Sequence, residues 1–282
     1  MKKLIEILRE FEKNRTNAVD DDKWRDKSIE EKYEAIAEWF RPCAEKILCE
    51  GYFLINGKYI IDLAAIELYY HEEDGDIKDY IMYHTNEQMP KKYMKTISKF
   101  KKQNAIDKLP IFYQRIENNE YPYFTTGSFN LHQSGIDITF ENDDNKTDRY
   151  RASFLIRSYR MFHKKDLGKD ILYDPCPSHL YDDLYYSGLL SVDKSTIEWI
   201  DGNKGVIKVK KRPRINVAEY RKDEKGKYVK TDVKITDSEY QSEIEDANNN
   251  HRYSIYFKSG SKIYKQDMRE WHYCIEGAEE IK

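Results

Sequence analysis

The chain has no long apolar run. Nowhere in its 282 residues does a hydrophobic stretch approach the roughly 20 needed to cross a bilayer, so no membrane span is expected. The first residues, Met1-Lys2-Lys3-Leu4-Ile5-Glu6, meet an acid too early for the apolar segment of a secretory leader. Cysteine is scarce: Cys43, Cys49, Cys176 and Cys274 stand apart with no C-x-x-C pair, which argues against a zinc site and a disulfide framework. These features predict a cytoplasmic protein with reduced thiols. His71, His84 and His132 lack a fixed ligand spacing, so neither a metal nor a cofactor is expected. An excess of one charge sign is also missing. A net charge of −3 excludes a surface that is basic all over. There is no internal repeat and no low-complexity segment.

Hydrophobic residues make up 39% and charged residues 35%, which suits a buried core under a heavily solvated surface. Aromatics reach 14%, chiefly through 24 tyrosines, a composition compatible with stacking on flat ligands. The distribution of charge says more than its sum. Residues 91–110 carry seven lysines against one acid, and residues 208–222 carry seven basic residues against one acid. Two such segments in an acidic chain are candidates for a phosphate-tracking stripe, with Lys91, Lys92, Lys95, Lys210, Lys211, Arg212 and Arg214 as contacts. The expected partner is then DNA, duplex or single-stranded. Lysine-rich solvated faces are the plain alternative. No protein partner is indicated.

The most unusual segment is the apolar run Ile60-Ile61-Asp62-Leu63-Ala64-Ala65-Ile66-Glu67-Leu68-Tyr69-Tyr70. A carboxylate in such a strand is costly to bury and implies a role or a partner. Tyr69 and Tyr70 must point to opposite faces of it. Around this strand the pattern predicts helices over 2–15 and 28–48, the second opened by Ser28 and Glu31 at capping-box spacing. Strands over 51–55 and 58–70 meet at Asn56-Gly57, a two-residue hairpin signal. A helical or irregular stretch at 88–108 precedes a possible strand at 110–116. Strands at 127–140 and 151–159, a helix at 178–188, and short strands near 189–199, 206–220, 227–235 and 252–258 follow. Helices first and strands after, without βαβ alternation, predict an α+β domain with a curved, largely antiparallel sheet flanked by helices. The expected organisation is an N-terminal helix and polar link over 1–26, the main body over 27–270 and a tail over 271–282.

The residues carry a further pattern. A helix at 33–48 leads through Gly51-Tyr52-Phe53-Leu54-Ile55 and the Asn56-Gly57 turn into Glu67-Leu68-Tyr69, with His84-Thr85 downstream. Gly127-Ser128-Phe129-Asn130-Leu131-His132 and Gly135-Ile136-Asp137-Ile138-Thr139 come next, then Phe154-Leu155-Ile156-Arg157. Pro177-Ser178-His179-Leu180 and Arg252-Tyr253-Ser254-Ile255-Tyr256-Phe257 close the series. This succession, over about residues 33–260, resembles the alkyladenine (3-methyladenine) DNA glycosylases. The resemblance implies hydrolysis of an N-glycosidic bond after a nucleotide is turned out of its helix. It implies Glu67 as general base for a water, Tyr69 as the stacking ring and His84 as a contact to base or phosphate. Arg157 would orient the water-binding groups or pair with an anion, and Asp137 stands where the family has an asparagine. The family's hairpin tyrosines have no counterpart in residues 128–134, so His132 is the candidate replacement ring and Phe129 the candidate wedge. Two other readings stay open: a non-catalytic binder of nucleic acid or nucleotides, and a glycosidase of free nucleosides or nucleotides.

Overall fold

A computed structural model of the chain describes residues 2–19, 23–72, 74–82, 91–103, 108–110, 113–114, 126–132, 135–142, 149–189, 191, 195–205, 208–226 and 228–278. The expected α+β class is what forms. Two helices, α1 (Lys2–Val19) and α3 (Ile29–Cys49), back an antiparallel sheet, with the one-turn α2 (Lys23–Asp26) between them. α1 buries Leu4, Ile7, Leu8, Phe11 and Arg15, a single stripe at helical spacing. α3 starts at the predicted capping box, where Ser28 Oγ accepts the Glu31 amide and Glu31 accepts the Ser28 amide. The N-terminal helix is thus part of the core.

β1 (Gly51–Ile55) and β2 (Tyr59–Glu72) form the predicted hairpin. Asn56 and Gly57 have φ of 51° and 65°, the two positive values that a type I′ turn needs. β2 then pairs along its length with β5 (Tyr150–His163), and β5 with β4 (Gly135–Glu141). β3 (Ser128–His132) forms one margin of the sheet and β6 (Ile197–Asp201) another, next to β1. The other edge of β2 is divided: β1 takes its first residues, and β13 (His272–Ile275) takes Ala65–Glu67. β13 in turn pairs with β7 (Val209–Arg212). The 271–282 tail expected from sequence is therefore corrected, because its first residues are an interior strand.

Smaller elements complete the chain. α4 (Lys91–Lys102) lies in the first basic segment, and α5 (His179–Tyr186) packs near β4. A hairpin of β8 (Tyr220–Lys222) and β9 (Tyr228–Lys230) precedes β10 (Asp232–Val233), α6 (Asp237–Asn249), β11 (Tyr256–Ser259) and β12 (Lys262–Lys265). α6 was not expected from sequence, although Thr236 and Glu239 form a second capping box. Of the stretch expected as a strand at 110–116 only residues 110, 113 and 114 are described, and Tyr113 and Gln114 donate turn bonds back to Pro110.

One irregularity decides what the sheet can do. Between Leu63 and Ile66 the β2–β5 register shifts twice, leaving Ala64 and Arg157 without directly opposed residues. Before the bulge, Ile61 and Leu63 face the helices; after it, Ile66, Leu68 and Tyr70 do. The shift moves the inward parity from odd to even residues, so Asp62 and Glu67 share the outer face although they are five positions apart. That outer face carries Asp62, Glu67, Tyr69 and His71 from β2.

Candidate functional site

Glu67 stands at the centre of a cross-strand row. Directly paired positions run Asn130, Asp137, Leu155, Glu67, His272 and Arg212 across β3, β4, β5, β2, β13 and β7. Cross-strand partners share a face, so this row lies away from the helical layer. A second row beside it holds Tyr69, Ser153, Thr139 and Ser128. The opposite face is apolar, which is why a polar row can exist without breaking the core.

The Glu67 side chain is 0% exposed. Its Oε1 accepts the Ile215 amide at 2.7 Å and the His272 Nδ1 at 3.0 Å. Its Oε2 accepts the Tyr69 hydroxyl at 2.9 Å. Arg157 places Nε 3.6 Å from Oε1. Burial by itself would raise this carboxyl's pKa. The Arg157 charge, the His272 bond and the Ile215 amide outweigh it and hold the group down at about 2. Glu67 is an ionised carboxylate inside the protein.

Its neighbours are shifted the other way. Burial raises the Tyr69 phenol well above its ordinary value, with the Glu67 charge adding to the effect. Burial lowers His272, so this imidazole is neutral near pH 7. Since Glu67 has no proton to give, Nδ1 of His272 carries the hydrogen. One side of the Tyr69 ring is covered by the Arg214 guanidinium, 4.8 Å from the centroid.

Arg157 is 19% exposed, and its ion pair to Glu67 is joined by no hydrogen bond to another described residue. Asp137 is on the same face but belongs to a separate pair. Its Oδ1 lies 3.2 Å from His132 Nε2, and its Oδ2 accepts the Ser153 hydroxyl at 3.4 Å. Two strand spacings put it about 10 Å across the sheet from Glu67, with Leu155 between. His132 therefore sits beside Asp137 on the outer face.

Several expectations require correction. Phe129 pairs with Ile138 on the apolar face and meets Phe53 edge-on at 5.5 Å, so it is a core residue and not a wedge. Arg214 is buried and bonds Asp79 Oδ2 at 2.6 Å and Asp267 Oδ2 at 2.5 Å, which leaves it no access to a phosphate. Lys211 bridges Glu34 and Glu38 at 2.6 Å each, and Lys210 pairs with Glu276 at 2.6 Å. Arg212 bonds the Tyr253 hydroxyl at 3.1 Å. Of the four contacts expected in the second basic segment, Arg214 is closed off from solvent and the other three have partners on the protein itself, while Lys208, Arg221 and Lys222 of the same segment are exposed. In the first, Lys95 is exposed on α4, alongside Lys99, Lys101 and Lys102, while Ile97 is buried. Lys91 and Lys92 lie on the same helix. His84 lies outside the described residues.

His272 and the Ile215 amide were not anticipated. The run Trp271-His272-Tyr273-Cys274-Ile275 is rich in strand-forming residues and was the available signal for the first. Nothing in the sequence marks a backbone amide as a carboxylate ligand. Elsewhere on the molecule, a cleft of about 730 Å³ opens between the start of α3, residues 76–80, the β8–β9 hairpin and residues 267–270. Among the described residues no group of histidine, cysteine and acidic side chains could hold a metal ion, and no helix is long and apolar enough to cross a membrane. No family model matches the chain, and neither a curated protein nor a solved structure matches it.

Proposed function

We propose that the outer face of the sheet around Glu67 is the active site of a hydrolase that cleaves the N-glycosidic bond of a modified base in DNA, on a fold resembling the alkyladenine DNA glycosylases. The observation that carries this reading is a fully buried carboxylate kept ionised by a tyrosine, a neutral histidine, a backbone amide and an arginine. Glycosidic cleavage develops positive charge on the sugar, and a fixed anion in a water-poor site stabilises that charge without reorganising. A carboxyl with a pKa of about 2 is a weak proton acceptor. Glu67 therefore acts mainly through its charge, orienting a water and taking its proton only as the bond to the sugar forms. Arg157 and His132 stand where an anionic or flat ligand would meet the same face. The exposed lysines of α4 supply a sequence-independent attraction to phosphates.

A second reading, a binder that holds a nucleotide without turnover, draws on the complete burial of Glu67 among four partners of its own. The two separate on one assay. Oligonucleotides bearing alkylated, deaminated or otherwise modified bases are incubated with the protein and with Glu67→Gln, and free base is measured. The glycosylase reading expects a loss of about 100-fold or more in the variant. A wild-type protein that binds these oligonucleotides yet frees no base from any of them supports the binder. Base release from nucleosides without DNA binding assigns the third class, a nucleoside hydrolase.

A further inference from the structure

The two oxygens of the Glu67 carboxylate are not equivalent. Each carboxylate oxygen offers two lone-pair directions. Oε1 receives two donors, the Ile215 amide and His272 Nδ1, and Arg157 approaches the same atom. Oε2 receives one donor among the described residues, the Tyr69 hydroxyl. A carboxylate held this way cannot exchange its oxygens by rotation without breaking both bonds at Oε1.

We propose that His272 is a positioning residue of this site, which saturates Oε1 and so makes Oε2 the working oxygen of Glu67. This rests on the proposed function for its catalytic meaning, but the geometric claim stands independently. His272 suits the task for three reasons. It is directly paired with Glu67 across the β13–β2 ladder, so backbone hydrogen bonds fix the distance between them. Its side chain is 1% exposed, so no solvent competes for Nδ1. Its neutral state leaves a single N–H on the nitrogen that faces the carboxylate, so the bond forms without adding a charge. Arg157 from β5 and Arg212 from β7 flank the pair, and Tyr69 faces it from β2, so removal of His272 leaves the cations in place. A working Oε2 has one lone pair beside the Tyr69 hydroxyl, the place for a hydrogen bond from an attacking water.

Two substitutions separate positioning from packing. In His272→Asn the side-chain amide nitrogen occupies the place of Nδ1 and can still donate to Oε1. In His272→Gln the amide reaches the place of Nε2 and leaves Oε1 one donor short. The full-length protein is prepared with ¹³C-labelled glutamate carboxyls, the Glu67 signal is assigned with Glu67→Gln, and its titration is followed by NMR. Base release is measured on the same three proteins. The expected result is a Glu67 midpoint that stays low in His272→Asn and climbs toward the ordinary carboxylate range in His272→Gln. Turnover should fall about tenfold or more in the Gln variant, with Asn recovering most of that loss. Equal titration and equal turnover in the two variants would overturn the proposal, as would an Asn variant as impaired as Gln while keeping the wild-type circular dichroism. If the wild-type protein frees no base, the glycosylase reading falls by itself, and the titrations alone decide whether His272 holds Oε1.

Discussion

A buried carboxylate is stable only if its partners return what desolvation removes, and Glu67 shows how few partners suffice. The Ile215 amide, His272 and Tyr69 supply hydrogen bonds, and Arg157 supplies charge. Because the folded pKa lies below the ordinary carboxylate value, the group's contribution to stability is complete above about pH 4.3 and is lost as pH falls toward its folded value near 2. The same reasoning at the residue scale separates Glu67 from its neighbours. Phe129 lies in the core against Phe53, so its role is packing. Phe129→Ala should lower stability by about 2 kcal/mol, less than a fully buried phenylalanine because the ring is only part-buried. Urea denaturation reads this, and binding of the proposed DNA ligand by the folded variant should be unchanged. A variant with wild-type stability and weakened DNA binding would return Phe129 to the ligand face.

At the scale of elements, the decisive object is the bulge in β2, and it marks the limit of what the sequence makes legible. Alternation of apolar residues along 60–70 breaks at Ala64-Ala65, two small apolar residues that fit either face, so the pattern gives no parity for Glu67 by itself. Where local chemistry is strong, the reading and the structure agree: Ser28 and Glu31 cap α3, and Asn56-Gly57 turns the hairpin. β13 and α6 escaped because their signals are weak. β13 is four residues long, and α6 buries only Ala247, so neither shows an apolar period. The basic run at 208–222 was legible only in part, for another reason. Charge count in sequence does not show that Lys211 and Arg214 meet carboxylates from α3 and from Asp79 and Asp267. Deleting Ala64 tests the bulge directly. The deletion leaves Ala65 alone between Leu63 and Ile66, so plain alternation keeps Ile66, Leu68 and Tyr70 inward and Glu67 outward, with Ser158 and Arg157 of β5 opposing Ala65 as an ordinary bulge. No apolar anchor and no partner of Glu67 is lost, so the cost should be that of a typical single change, about 1–3 kcal/mol. The expected outcome is a chain that still unfolds cooperatively in urea and keeps its near-ultraviolet circular dichroism. A deletion variant that loses both would show that the extra residue itself is needed to set the facing of Glu67.

For the whole molecule, the outer face is closed by segments distant in sequence. Arg214 joins Asp79 to Asp267, and Arg269 joins the same two carboxylates, so the 76–82, 213–217 and 267–271 segments are held over the sheet by one ionic cluster. His71 anchors the same closure from β2, where its Nδ1 accepts the Asp79 amide at 3.1 Å. Burial, aided by the Lys78 and Arg151 charges, holds His71 down at about 4. The sign of the consequence follows from proton counting. Between pH about 6.5 and 4 the unfolded chain binds a proton at this histidine and the folded chain does not, so stability falls as pH is lowered through that range. The slope from one such group is at most about 1.4 kcal/mol per pH unit. Buried His272, also shifted downward, adds to it. In His71→Asn the side-chain oxygen takes the place of Nδ1 as acceptor for the Asp79 amide, while the titrating ring is gone. Urea midpoints measured from pH 7 to pH 4 should therefore decline less steeply in His71→Asn than in the wild type, with the remaining slope in this range reduced further by His272→Asn. Identical pH dependence in wild type and His71→Asn would mean that His71 charges as readily in the folded protein as in the unfolded chain, and that the closure over the outer face opens to admit the proton.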